Sequence, residues 1–252
     1  MDDALLSPLF LRAVKIRREE LEPDSYLREL PVVKFLDRME LHSPVTFFVG
    51  ENGTGKSTLL EGIAVNCGFN PEGGTKNFSF STADTHSELC RHITVSKGHR
   101  RPKDGFFLRA ESFYNVATNI DEMSRSGLGR PIVESYGGVS LHRQSHGESF
   151  LSLVLNRFGG EGIYLLDEPE AALSPSRLMT LIAAIHALVG RGSQFVIATH
   201  SPILMAYPDS ELYQFTGEGV RLTPYQETEH FILAREFLNN PERMLRILLS
   251  ED

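Results

Sequence analysis

Thiols are scarce in this chain. Among its 252 residues only Cys67 and Cys90 carry one. They form no C-x-x-C pair, and no histidines accompany them at zinc spacing, so neither a disulfide framework nor a cysteine-based metal site is expected. Both read as buried or inert thiols of a reduced compartment. No stretch reaches the roughly 18 apolar residues that a membrane span needs. The opening MDDALLSPLFLRAVKIRREE has no basic segment ahead of an apolar core, so the expectation is a cytoplasmic protein without membrane insertion. Positive charge is also in deficit: 25 Lys and Arg face 33 Asp and Glu, for a net charge of −8. That excludes a uniformly basic coat for nucleic acid. Internal repeats and heptad arrays are missing, which excludes a long coiled-coil arm. A local basic excess runs from Arg91 to Arg109, where Arg91, Lys97, Arg100, Arg101, Lys103 and Arg109 are set against a single acid, Asp104. This run reads first as a solvated loop and strand, with nucleic-acid contact as its alternative.

What is present is GENGTGKS, from Gly50 to Ser57, which fits G-x-x-x-x-G-K-[ST]. In such a loop glycines permit tight dihedrals and close backbone approach, so that N–H groups wrap a β-phosphate. A lysine sets a point charge against the β- and γ-phosphates, and the serine hydroxyl is offered to Mg²⁺. Gly50, Glu51, Asn52, Gly53, Thr54, Gly55, Lys56, Ser57 and Thr58 are therefore the expected nucleotide-binding residues, and ATP with Mg²⁺ the expected ligands. The apolar VTFFV at Val45 to Val49 predicts a strand and STLLEGIAV from Ser57 a helix, which aims a helix N-terminus at the anion.

A second constellation lies downstream. YLLDEPE at Tyr164 to Glu170 is an apolar strand ending in adjacent carboxylates, and strand alternation predicts that the two point to opposite faces. Asp167 is expected in the Mg²⁺ shell and Glu168 beside the γ-phosphate, where it can orient or deprotonate an attacking water. An acid in that place favours hydrolysis over phosphoryl transfer to another substrate. SHGES at Ser145 to Ser149 sets a small polar residue and Gly147 at a helix start, which reads as an anion site or as a plain N-cap. THSP at Thr199 to Pro202 follows a buried strand and puts His200 within reach of a γ-phosphate oxygen or the lytic water. Lys56, Glu168 and His200 are thus the expected catalytic set.

The order of these motifs, from Val45 to Pro202, resembles the ABC-type ATPase superfamily. EPEAALSP at Glu168 to Pro175 and the THSP switch are similar to the bacterial ATPases related to SMC heads and to overcoming-lysogenization-defect ATPases. The resemblance implies that Ser145, Gly147 and Glu148 act as signature residues in trans, Ala171 to Ser174 as the D-loop and His200 as the switch. The chain departs at QSHGE, where transporters carry LSGGQ; at Ser174, where an aspartate is common; and at Glu111, where a glutamine often contacts Mg²⁺.

Strands expected at Phe10 to Ile16, Ile93 to Val95, Phe106 to Ala110, Gly162 to Leu166 and Phe195 to Thr199, alternating with helices from about Gly147 to Phe158 and from Ser174, predict an α/β fold with a mainly parallel sheet covered on both faces. The expectation is one ATPase domain over residues 1–252, with a small helical lid inserted at about 112–158. The tail, FILAREFL and RMLRILL, predicts two amphipathic helices packed on that domain. The implied function is ATP hydrolysis coupled to ATP-dependent pairing of two copies, in DNA repair or anti-phage defence, with nucleic acid or an effector protein as further partner. Its alternatives are the energy module of a membrane transporter and an ATP-dependent switch or scaffold with little turnover.

Overall fold

A computed structural model describes residues 8–76, 87–110, 113, 118 and 145–250. Nine strands are described: β1 (Leu11–Ile16), β2 (Arg38–Glu40), β3 (Val45–Gly50), β4 (Ile93–Lys97), β5 (Asp104–Arg109), β6 (Gly162–Asp167), β7 (Gln194–Ala198), β8 (Glu211–Thr216) and β9 (Gly219–Leu222). Six form the main sheet in the order β5-β6-β7-β3-β8-β9, and β2-β1-β4 form a smaller one. Within the main sheet every pairing is parallel except β8 with β9. Every residue of β3 and of β6 is buried. Such unbroken apolar runs belong to central parallel strands covered on both faces, as the sequence predicts.

The pleat divides the core in two. Phe47, Leu108, Leu166 and Ile197 face a core shared with helices His146–Arg157 and Pro175–Gly190. Their neighbours Phe48, Phe107, Leu165 and Val196 face a second core, built with helix Lys56–Asn66 and the small antiparallel sheet. One carboxylate ties the first layer to the sheet. Asp104, at the start of β5, accepts hydrogen bonds from Arg157 at 2.9 Å, the Gly159 N–H at 2.9 Å and the Tyr164 hydroxyl at 2.8 Å. Burial alone would raise its pKa, yet these donors hold it below the ordinary aspartate value.

Two features depart from the sequence expectations, and a third falls outside what is described. The hairpin β8–β9, absent from them, extends the sheet beyond β3. Most of the expected lid, residues 112, 114–117 and 119–144, lies outside the described residues. The tail does form two helices, Glu229–Asn239 and Pro241–Leu249, but neither buries a residue. Leu238, Leu248 and Leu249 are 78%, 67% and 76% exposed, so these helices do not pack into the domain in the way their amphipathic pattern predicts. Among the described residues no helix is long and apolar enough to cross a membrane.

Candidate active site

Three strands end at one edge. Ala198 is level with Phe48 on one side and with Asp167 on the other, so the loops leaving β3, β6 and β7 emerge together along the carboxyl edge of the sheet, where ligands bind in open α/β folds. The Glu168 N–H donates to the Ala198 carbonyl at 2.9 Å and the Thr199 N–H to that of Phe48 at 3.0 Å, extending the alignment into the loops.

The loop from Gly50 to Lys56 has an exposed tip at Glu51, Asn52 and Gly53 and a buried return at Thr54, Gly55 and Lys56. Ser57 and Thr58 are half-buried at the start of the helix. Gly50, with φ +132°, and Gly55, with φ +97°, hold backbone conformations that other residues rarely adopt. A Cβ on Gly50 would lie 2.0 Å from the Phe215 carbonyl oxygen, and one on Gly55 2.3 Å from Val32 Cγ1. Val32 also donates its N–H to the Thr54 carbonyl at 3.2 Å. The segment Pro31–Phe35 thus buttresses the loop from behind, a role no local pattern announces.

Lys56 folds back over this loop. Its Nζ donates to the carbonyls of Gly50 and Glu51, both at 2.7 Å. Burial lowers its pKa, opposed by the carboxylates of Glu168, Asp167, Glu170 and Glu51. Beside it the Ser57 hydroxyl donates to Asp167 Oδ1 at 2.9 Å. On the other oxygen, Oδ2 of Asp167 lies 3.7 Å from Arg109 Nε, and Arg109 also pairs with the buried Glu61 at 2.7 Å.

The structure revises the reason that Asp167 and Glu168 diverge. Asp167 is the last residue of β6, and Glu168 takes φ 50° and ψ 52°, the left-handed region. A kink after the strand, rather than its alternation, turns Glu168 away. A non-glycine residue held there is a local cost that tends to persist at functional sites. Its carboxylate lies 3.5 Å from His200 Nε2. That imidazole nitrogen is buried without a hydrogen bond. Burial lowers the His200 pKa, helped by the Lys56 charge and opposed by Glu168, so the ring is neutral at pH 7. Glu170, which the sequence reading passed over, accepts the His200 N–H on Oε1. Burial pushes its carboxyl up.

The residues expected to act as a signature lie elsewhere. Ser145 precedes helix His146–Arg157, and Glu148 accepts from the Ser145 N–H at 3.0 Å and hydroxyl at 2.6 Å. Arg177 completes the group, donating to Glu148 Oε1 at 3.1 Å. This is the acid arm of a capping box, so the plain N-cap reading describes the local structure. Gly147 is packed closely: a Cβ there would meet the Ala172 carbonyl and Arg177, each at 2.6 Å. Among the described residues no hydrogen bond or ion pair joins Ser145 or Glu148 to the phosphate loop. Glu111 lies outside the described residues.

Much of the basic run is consumed internally. Arg100 pairs with Glu161 at 2.7 Å, Lys103 with the same carboxylate, Arg91 with Glu88 at 3.7 Å, and Lys97 with the Asn66 carbonyl at 3.1 Å. Cys67 is buried and Cys90 half-buried, and burial raises both thiols. An open cavity of about 580 Å³ lined by Met205, Tyr207, Leu212, Leu222 and Tyr225 shares none of the phosphate-loop residues.

Comparison with known proteins narrows the class. Residues 27–120 match the family described as "AAA domain", and residues 139–206 match "AAA domain, putative AbiEii toxin, Type IV TA system". Over 189 residues the chain is 27% identical to the cytochrome c biogenesis ATP-binding export protein CcmA of Legionella pneumophila (strain Paris), covering 71% of this chain and 91% of that one. It is a P-loop ATPase domain of the ABC/AAA type. The ATPase domain is likewise 27% identical over 208 residues to the cobalt import ATP-binding protein CbiO of Salmonella typhimurium (strain LT2), covering 77% of this chain and 74% of that one. Its fold matches that of MJ1267, an ATP-binding cassette of an ABC transporter, with a TM-score of 0.50 and 17% identity, over 96% of this chain and 99% of that one.

Proposed function

We propose that ATP is bound on the Gly50–Thr58 loop and hydrolysed there, with Glu168 as general base, and that hydrolysis releases a pair of copies closed by ATP. The observation that carries this reading is the contact of Ser57 with Asp167 at 2.9 Å, beside Lys56 and the Glu168–His200 pair. A serine hydroxyl and one carboxylate suit a small hard cation whose remaining ligands are phosphate oxygens and water. Ser57 and Asp167 would hold Mg²⁺, which when bound neutralises phosphate charge.

The rest is the work of the chain. Loop amides and Lys56 fix the phosphates, and Glu168 takes a proton from the attacking water. His200, neutral, donates from Nε2 to the charge that develops on the γ-phosphate. The printed description of the family matching residues 139–206, a type IV toxin–antitoxin system, supports a defence role for this activity. A second reading, the energy module of a transporter, is favoured by the relatives CcmA and CbiO. Copurification with an integral membrane subunit would decide for it.

The test separates binding from chemistry. Lys56→Ala should weaken ATP binding. Glu168→Gln should keep ATP bound and slow turnover by about 10²–10⁴-fold, the range for loss of a general base. Equal loss of binding in both variants would sink the assignment.

A further inference from the structure

His200 sits between two groups. Its Nε2 faces Glu168, and its Nδ1 lies 3.2 Å from Nε2 of His230, in the first turn of helix Glu229–Asn239. The two rings are 5.3 Å apart. Burial lowers the pKa of both imidazoles, so each is neutral near pH 7 and carries one ring proton. In the contact between them one nitrogen donates and the other accepts. His200 can present an N–H at Nε2 only if its Nδ1 is the acceptor, and then His230 Nε2 is the donor.

The helix is strapped to the switch at two further points. The Tyr225 hydroxyl donates to the Pro202 carbonyl at 2.9 Å, two residues beyond His200. The Tyr225 ring packs on Phe231 at 4.6 Å. Thr228, fully buried, accepts the Phe231 N–H and donates to the Tyr225 carbonyl at 2.7 Å. Around His230 the otherwise exposed helix is therefore fixed in place.

We propose that His230 is a positioning residue for ATP hydrolysis: by donating from Nε2 to His200 Nδ1 it holds His200 in the tautomer that carries its proton on Nε2. The partner of one ring nitrogen sets the state of the other. The inference rests on the role given to His200 above. It makes helix Glu229–Asn239, exposed along much of its length, part of the hydrolytic apparatus.

The tautomer can be read directly, without nucleotide, by long-range ¹H–¹⁵N correlation on ¹⁵N-histidine-labelled protein at about pH 8, above the ordinary histidine range. The wild-type spectrum should show His200 protonated at Nε2. His230→Ala should give mixed tautomers, and His230→Gln, whose amide nitrogen can replace the donor, should restore one. In turnover assays His230→Ala should lower kcat about 10- to 100-fold, the scale for loss of a group that orients a functional imidazole. The KM for ATP should stay unchanged, and His230→Gln should recover most of the rate. A wild-type His200 protonated at Nδ1 overturns the inference, and that measurement needs no variant to fold. A kcat sensitive to His200→Ala but not to His230→Ala overturns it alone, whereas a kcat insensitive to His200→Ala overturns the role of His200 and this inference with it.

Discussion

The Ser57 hydroxyl donates to Asp167 Oδ1 at 2.9 Å, across 110 positions of sequence. In space the contact spans β7, which lies between β6, ending at Asp167, and β3, whose loop leads into the helix that carries Ser57. It therefore exists only when three parallel strands end level. Arg109 approaches the other carboxylate oxygen while paired with Glu61 on the phosphate-loop helix, so Asp167 is held in place from both sides.

If Asp167 and Ser57 share the cation, Ser57→Ala and Asp167→Asn should erase most of the gain in ATP affinity that Mg²⁺ confers, leaving affinity in excess chelator near the wild-type value. Calorimetric titration with and without Mg²⁺ makes the comparison. A loss of equal size in both conditions would mean that the pair only braces the loop.

Glu170 gives a pH signature whose sign follows from its raised carboxyl pKa. Below the ordinary glutamate value of 4.5 it is neutral in both folded and unfolded chains. As pH rises the unfolded chain releases its proton first, so this group's contribution to stability is present at low pH and is lost as pH climbs through the folded pKa. Glu170→Gln keeps an acceptor for the His200 N–H and removes the titration. In urea unfolding from about pH 4.5 to pH 8, the variant should gain on the wild type as pH rises. A constant difference across that range would reject the assignment.

How much of this was legible depended on whether the information was local. GENGTGKS, LLDEP and THSP each encode their geometry within a few residues, and the apolar runs of β3, β6 and β7 announced a sheet buried on both faces. Adjacency in sequence misled at Asp167 and Glu168, because the separation comes from one left-handed residue. At Gly147 the need for glycine comes from outside the motif, since a Cβ there would meet the Ala172 carbonyl and Arg177. Val32 behind Gly55, Glu61 with Arg109 and His230 on His200 were invisible, since each joins segments whose proximity only the fold decides.

Asp104 holds the layer that carries helix His146–Arg157. Asp104→Ala would remove the acceptor shared by Arg157, the Gly159 N–H and the Tyr164 hydroxyl, and should lower the unfolding free energy by about 3 kcal/mol, the scale of charged hydrogen bonds lost in a partly buried cluster. For a domain of this size that is a fall in Tm of roughly 10 °C. Scanning calorimetry reads it, and a shift below about 2 °C would show that the cluster is dispensable.

The composite site makes the strongest demand on the proposed mechanism. Ser145 and Glu148 satisfy one another at the start of helix His146–Arg157, with Arg177 on the same carboxylate, and among the described residues no hydrogen bond or ion pair ties them to the phosphate loop of their own chain. A helix N-terminus favours anions through its free N–H groups and dipole, and here the Glu148 carboxylate holds that place. A γ-phosphate from a second copy would compete for it, leaving Glu148 to its bond with Arg177, and C2 pairing would complete both sites at once. ATP should therefore shift Glu168→Gln protein from monomer to dimer in size-exclusion chromatography with light scattering, and Ser145→Arg, added to it, should abolish the shift through bulk at the phosphate. Mixing Lys56→Ala protein with Ser145→Arg protein should regenerate one intact site per heterodimer and recover part of the activity. If ATP leaves Glu168→Gln protein monomeric at high concentration and the mixture stays inactive, hydrolysis does not use a site shared between two chains.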